Sequence, residues 1–172
     1  IGFATAKRCV EEGAAILISD IHERRLADAA SRIEMETGAR PATILCNVTD
    51  QVDVDNLFAK AAQTFGAPDL VINNAGLGGT ANIMEMTDDE WSVVMDVTLN
   101  GTFRMTRAAM QAMSGKGGVI VNNASVLGWR AQVGQAHYAA AKAGVMALTR
   151  CAGLEGAEHG IRVNAVEPSL AM

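Results

Sequence analysis

Aromatic side chains are scarce in this 172-residue chain, at 4% of the sequence, while 17 glycines and 9 methionines are present. That mix suits helices lying close against a sheet more than an aromatic-rich β-sandwich. Positive charge is not in excess. The formal net charge is −5, and a nucleic-acid footprint needs a basic surface stripe. The basic residues are scattered and mostly accompanied by acids, as in Glu23, Arg24, Arg25 and Asp28. No apolar run approaches the roughly 18 residues that span a bilayer; the best candidate, 138–154, is broken by Lys142 and Arg150. No secretory signal is visible. The three cysteines, Cys9, Cys46 and Cys151, are far apart and form no C-x-x-C. Neither a disulfide framework nor a zinc site is indicated, and buried reduced thiols in a cytoplasmic protein are expected.

What is present is ordinary globular material, 49% apolar and 19% charged, and by length a single domain over 1–172. Short β-rich apolar runs (14–19, 42–46, 69–73, 119–123 and 161–166) alternate with stretches of helical spacing (1–12, 23–37, 51–65, 88–113 and 138–159). The strands read as continuous apolar runs, as in a parallel sheet covered on both faces. Gly13, Gly38, Gly66 with Pro68, and then Gly115, Gly117 and Gly118 punctuate the pattern. Repeated β-then-α order predicts right-handed crossovers and a doubly wound parallel sheet of the Rossmann type. The first helix starts with no strand before it, and the sequence stops abruptly after Pro168-Ser169. The expectation is an incomplete domain lacking a first strand and a carboxyl-terminal part.

The strongest constellation is Ser125, Tyr138 thirteen residues later, and Lys142 four further on. Tyr138 and Lys142 are one helical turn apart and share a face. A phenol with a pKa near 10 is a poor base at neutral pH, but a neighbouring ammonium favours the phenolate. Such a tyrosine can exchange a proton with an alcohol while a cofactor handles the hydride. Ser125, just past a strand, would hydrogen-bond the same oxygen. Y-x-x-x-K alone is a weak signal, equally an ordinary exposed helix turn. Asn73-Asn74-Ala75-Gly76 ends another strand, where small residues let a backbone approach a ligand. Asp20 ends an earlier strand, where a carboxylate can accept from a ribose diol or simply form a turn.

Taken together, these motifs resemble the short-chain dehydrogenase/reductase family, and the match runs essentially end to end. Ile1-Gly2 would close the family's T-G-x-x-x-G-I/L-G loop. Asn73 to Gly76 corresponds to its N-N-A-G motif, and Ser125, Tyr138 and Lys142 to its catalytic set. Ile161-Arg162-Val163-Asn164-Ala165-Val166 corresponds to the strand before its P-G turn. The resemblance implies Tyr138 as general acid/base, Lys142 on the nicotinamide ribose and Ser125 on the carbonyl. Cofactor contacts would come from Gly2, Asp20, Asn47, Val48, Asn74, Ala75, Gly76, Tyr138, Lys142 and Pro168. Asp20 favours NAD(H), because a 2′-phosphate would meet a like charge; Arg24 and Arg25 keep NADP(H) open. Asn47-Val48 stands where the family has Asp-Val against the adenine, and the Asn keeps a carbonyl acceptor.

Three features depart from the pattern. The family's fourth catalytic residue is an Asn in D-V-N-L-x-G, whereas Asp96-Val97-Thr98-Leu99-Asn100-Gly101 puts Thr98 there. Asn100 lies about 200° around a helix from Thr98, so the expectation is a Thr98 hydroxyl and backbone carbonyl holding a relay water. Pro168-Ser169 replaces Pro-Gly. His137 precedes Tyr138 and points about 100° away on a helix, which predicts a surface or interface position.

The substrate is expected to face 77–86 and 126–136. With Leu127, Trp129 and Val133 in the second stretch, an apolar secondary alcohol or ketone is implied, similar to 3-oxoacyl thioesters or hydroxysteroids. Arg130 is either solvated or set to meet a carboxylate or phosphate. Met84, Met86, Met95, Met105, Met110 and Met113 are expected as core filler, or as a plastic lid. The rival readings are a catalytically silent dinucleotide-binding regulatory protein and a sugar-nucleotide epimerase. The partners expected are a small carbonyl or alcohol substrate and, by analogy, a second copy of the chain in a homodimer or homotetramer; no metal, membrane or nucleic acid is expected.

Overall fold

The computed structural model describes residues 1–169. The chain forms two compact units, Ile1–Gly66 and Ala67–Met172.

In the first unit α1 (Gly2–Glu11), β1 (Leu17–Asp20), α2 (Glu23–Thr37), β2 (Ala42–Leu45) and α3 (Gln51–Phe65) follow one another. β1 and β2 pair in parallel, Leu17 opposite Ala42 and Asp20 opposite Leu45. The ladder starts three residues later than the apolar run, Ala42 N making its first bond to Ile16 O at 3.0 Å. Leu26, Ala30 and Ile33 form the buried stripe of α2, spaced four and three apart as a helix face requires. Gly38 ends α2 at φ 79, in the left-handed conformation. Lys7 of α1 pairs with Glu36 of α2 at 2.7 Å, and Arg32 stacks over the Phe3 ring. Asp50 caps α3 by accepting from Val52 N.

The second unit holds β3 (Leu70–Asn73), α4 (Asp88–Met95), α5 (Gly101–Met113), β4 (Gly118–Asn123), α6 (Ala136–Gly156) and β5 (Ile161–Val166). Its sheet is parallel in the order β3-β4-β5. Thus the parallel strands form two separate sheets, of two and three strands. α4 begins with a complete capping box, in which Thr87 and Glu90 satisfy each other's backbone N–H.

The expected helix over 88–113 is interrupted. Asp96–Asn100 is a π-helical segment between α4 and α5. Here the Thr98 carbonyl accepts from the Thr102 hydroxyl at 2.8 Å. α6 starts two residues before Tyr138 and ends in a tight turn at Ala157–His159. Its buried residues, among them Ala141, Val145, Thr149, Ala152 and Gly156, follow helical spacing. Gly144 lets α6 approach the π segment, since a Cβ there would meet Leu99 Cδ2 at 2.8 Å.

The core of this unit is not wholly apolar. Asn73 and Asn122 are opposite each other in the β3–β4 ladder. Asn73 Nδ2 donates to Asn122 Oδ1 at 2.9 Å and to Thr106 Oγ1 at 3.2 Å, and Asn122 Nδ2 donates to Thr149 Oγ1 at 2.9 Å. Four buried polar side chains thus link β3, β4, α5 and α6. Of the methionines expected as filler, Met105 and Met113 are buried, while Met84 is 93% exposed.

Candidate active site

The site-forming residues of the second unit converge at the carboxyl ends of β3 and β4. Parallel strands place those ends together, as ligand-binding crevices of α/β sheets require. β4 ends at Asn123, and Ser125 follows, buried, in extended backbone. Its Oγ accepts from Leu127 N at 3.2 Å, while Pro168 O accepts from Val126 N at 3.3 Å. The turn after β5 is thereby tied to the one carrying Ser125.

Lys142 lies one turn beyond Tyr138, the only tyrosine in the chain. Its side chain is 3% exposed, and Nζ sits 5.5 Å from the Tyr138 ring centre. The ammonium donates to Asn123 O at 2.5 Å. Burial pushes the Lys142 pKa down to about 8, because a desolvated amine resists its charge. Gly76, the last residue of N-N-A-G, lies against this amine: a Cβ there would come within 3.5 Å of Nζ and 3.8 Å of Thr98 Oγ1. Asn74 is held by Asn123, whose Nδ2 donates to Asn74 Oδ1 at 3.0 Å. Asn123 Oδ1 is buried without a partner. A bare glycine backbone, a buried ammonium and an unsatisfied acceptor fit a ligand rich in hydroxyl and amide groups, such as the nicotinamide half of a dinucleotide.

Thr98 is wholly buried and Asn100 exposed. The Thr98 hydroxyl donates to Leu77 O and accepts from Leu77 N, both at 2.9 Å. It therefore clamps the chain just past N-N-A-G, and its only proton is committed there. Asn100 instead donates to Asp96 Oδ1 at 3.2 Å, which also pairs with Arg104.

His137 does not lie on the surface. It is 1% exposed, with Nδ1 buried and unpartnered. The expected rotation away from Tyr138 is real, but α6 is covered there by α4 and by the loop after β3. Cys151 is exposed, Cys9 half-buried and Cys46 buried; burial raises the Cys46 pKa to about 11. Trp129 and Val133, expected to face a substrate, are exposed, and Trp129 Nε1 donates to Glu167 at 2.9 Å.

The first unit carries the other expected cofactor residues. Gly2 opens α1, and Asp20 ends β1 with Oδ1 accepting from His22 N at 2.8 Å. Asn47 and Val48 follow β2. Asn47 Oδ1 already accepts from both Thr49 N and Thr49 Oγ1, at 3.1 and 2.9 Å. The side-chain carbonyl reserved for an adenine amino group is thus used to shape its own turn, as Asn commonly does.

The family profile described as short chain dehydrogenase matches residues 1–171. The chain belongs to the short-chain dehydrogenase family. Its relatives include the (5R,7aS)-5-hydroxy-7a-methyl-1-oxo-2,3,5,6,7,7a-hexahydro-1H-indene-carboxyl-CoA reductase of Mycobacterium tuberculosis, 54% identical over 99% of this chain and 66% of that protein. Another is the cis-4-hydroxycyclohexanecarboxylate dehydrogenase of Sinomonas cyclohexanicum, 40% identical over 99% of this chain and 69% of that protein. A crystal structure of a short-chain dehydrogenase from Mycobacterium smegmatis superposes with a TM-score of 0.94 at 50% identity, covering 99% of this chain and 72% of that one. The chain spans about two thirds of the length of these curated short-chain dehydrogenases. No helix among the described residues is long and apolar enough to cross a membrane.

Proposed function

We propose that the protein is an oxidoreductase moving a hydride between NAD(H) and a secondary alcohol or ketone, with Tyr138 as general acid/base. The observation that carries this is the buried Lys142 ammonium, one turn from the only tyrosine and against the bare backbone of Gly76. The nicotinamide ring, when bound, supplies or accepts the hydride. In the reducing direction the Tyr138 hydroxyl gives its proton to the substrate oxygen, and the charge left on the phenolate is met by the Lys142 ammonium in a poorly solvated site. Ser125 holds the substrate oxygen. Lys142 also binds the ribose hydroxyls, Gly76 leaves room for them, and Asn74, Ala75 and Pro168 line the same half. Gly2, Asp20 and Val48 serve the adenosine half, with Asn47 shaping the turn beside Val48, and Asp20 disfavours a 2′-phosphate by like charge. Thr98 fixes Leu77 and through it the N-N-A-G segment.

The substrate class we infer is an alicyclic alcohol or ketone bearing a carboxyl group or its thioester. The names of two relatives support this, both describing ring alcohols with a ring carboxyl, as does the apolar exposed pair Trp129 and Val133. Three free cysteines suit a reducing cytoplasm. A homo-oligomer is expected.

The test is turnover of cyclic ketones and their acyl-CoA derivatives by the intact protein, NADH compared with NADPH. Tyr138→Phe is expected to lower kcat by about 100-fold or more. Activity that needs the charged amine should fall as pH rises through about 8. A Tyr138→Phe variant as active as the parent defeats the proposal.

A further inference from the structure

Beyond Gly76 the chain crosses the amino-terminal end of α6 as a strap with no secondary structure of its own, so its path is set by what it touches. A Cβ on Gly78 would lie 3.6 Å from Tyr138 Cδ2, and one on Gly79 would lie 3.0 Å from His137 Nε2. Gln135 donates to Gly79 O at 2.6 Å and to Thr80 Oγ1 at 3.2 Å. Ala81 N donates to Gly134 O at 3.1 Å. Gly134 itself has φ +76, and a Cβ there would strike Thr80 Cγ2 at 2.9 Å. Four consecutive strap residues, Gly78 to Ala81, are therefore seated on Gly134, Gln135, His137 and Tyr138.

His137 is the anomaly in this seam. A buried nitrogen without a partner is destabilising, and an apolar side chain of similar size would avoid that cost. Such groups in native structures call for an explanation. The imidazole edge meets glycine backbone, the one contact in which ring position translates directly into main-chain position. Past the strap the chain continues to Ile83 and Met84, which are exposed, as are Trp129 and Val133 on the segment leading to Gly134. The strap thus touches the Tyr138 ring with exposed apolar residues both beyond it and on the segment it is bonded to.

We propose that His137 is a positioning residue: it sets the height of the Gly78–Thr80 strap over the Tyr138 ring, and so how bulky a cyclic ketone reaches the phenol. This rests on the ketone-reductase reading above, but its structural half can be tested without it. Two probes of different width, cyclohexanone and 2-decalone, are compared with NADH in the intact protein and in His137→Ala, His137→Asn, Gly79→Ala and the His137→Ala/Gly79→Ala double variant. The ratio of kcat/KM for the two ketones is expected to shift by roughly tenfold in His137→Ala, the size of a one-methylene misfit. His137→Asn, planar and polar, should restore most of the parent's ratio. Gly79→Ala should also shift the ratio, and removing the imidazole should cancel that effect, because touching residues are not additive. Hydrogen exchange supplies the readout that needs no turnover: amides 77–82, Ala81 above all, should lose protection in His137→Ala. Unchanged exchange there, or strictly additive ratios, overturns the positioning role. A protein that reduces neither ketone overturns the reading of the site instead, whatever the amides do.

Discussion

Lys142 holds an ammonium where water scarcely reaches it, so the residue chosen for chemistry works against folding. Its pKa falls from 10.5 to about 8. The unfolded chain therefore binds a proton more tightly than the folded one, and stability rises with pH between those values. Replacing the amine with an apolar side chain removes that burden. Lys142→Met is expected to abolish turnover and yet raise stability at pH 7 by about 1–2 kcal/mol, allowing for the lost bond to Asn123 O. In denaturant titrations the gain should be full below about pH 8, shrink above it and vanish past about 10.5. A variant less stable than the parent at pH 7 contradicts the account. The cysteines give a second residue-scale test. Exposed Cys151 should be alkylated rapidly in the native protein, whereas buried Cys46, its pKa raised to about 11, should react only on unfolding. Mass-spectrometric mapping of the modified thiols decides it. Residue identity and spacing singled out Tyr138, Lys142 and Ser125, but Y-x-x-x-K alone is an ordinary helix turn, and only the joint order of the other motifs gave it weight. The sequence did not reveal that Cys151 is exposed or that Asn47 spends its carbonyl on its own turn: composition carries no burial, and a motif position carries no hydrogen-bond partner.

At the scale of elements, Thr98 belongs to the break between α4 and α5 and not to a regular helix. Its hydroxyl closes two bonds with Leu77. Thr98→Val keeps the shape and loses both bonds to the part-buried Leu77 backbone, at a cost of about 1 kcal/mol. The expected signature is a lower midpoint in denaturant with faster exchange at Leu77 N–H; retention of both would mean the clamp is not needed. α2 and α3 were legible to the residue, since Leu26, Ala30 and Ile33 repeat at helical spacing and Gly38 and Gly66 stand at the ends. The π segment was not. A single-residue slip of phase leaves Val94, Thr98, Met105 and Ala109 still readable as one continuous helix. His137 was misplaced for a related reason. Turning away from one buried face predicts solvent only if the helix has a single buried face, and α6 is covered by α4 as well as by β5.

Over the whole molecule, the β-then-α alternation and the continuous apolar strands foretold parallel pairing. The buried polar links between Asn73, Asn122, Thr106 and Thr149 were beyond that reading, which takes an Asn after apolar residues as the end of a strand. Pairing also differs along the chain: β4 is flanked on both sides by β3 and β5, whereas the 77–82 strap lies in no ladder. Amides of β4 such as Ile120 and Asn122 should exchange more slowly than those of the strap, because paired strands buried in a sheet open at greater cost. Equal protection of the two would sink that ranking. β4 also carries Asn123, whose carbonyl accepts from Lys142, and leads into Ser125, so both are attached to the part of the fold expected to open last. The strap over Tyr138, held by a few loop contacts, opens first. On warming, a protein with the proposed activity should become less choosy about what it reduces well before it stops reducing anything.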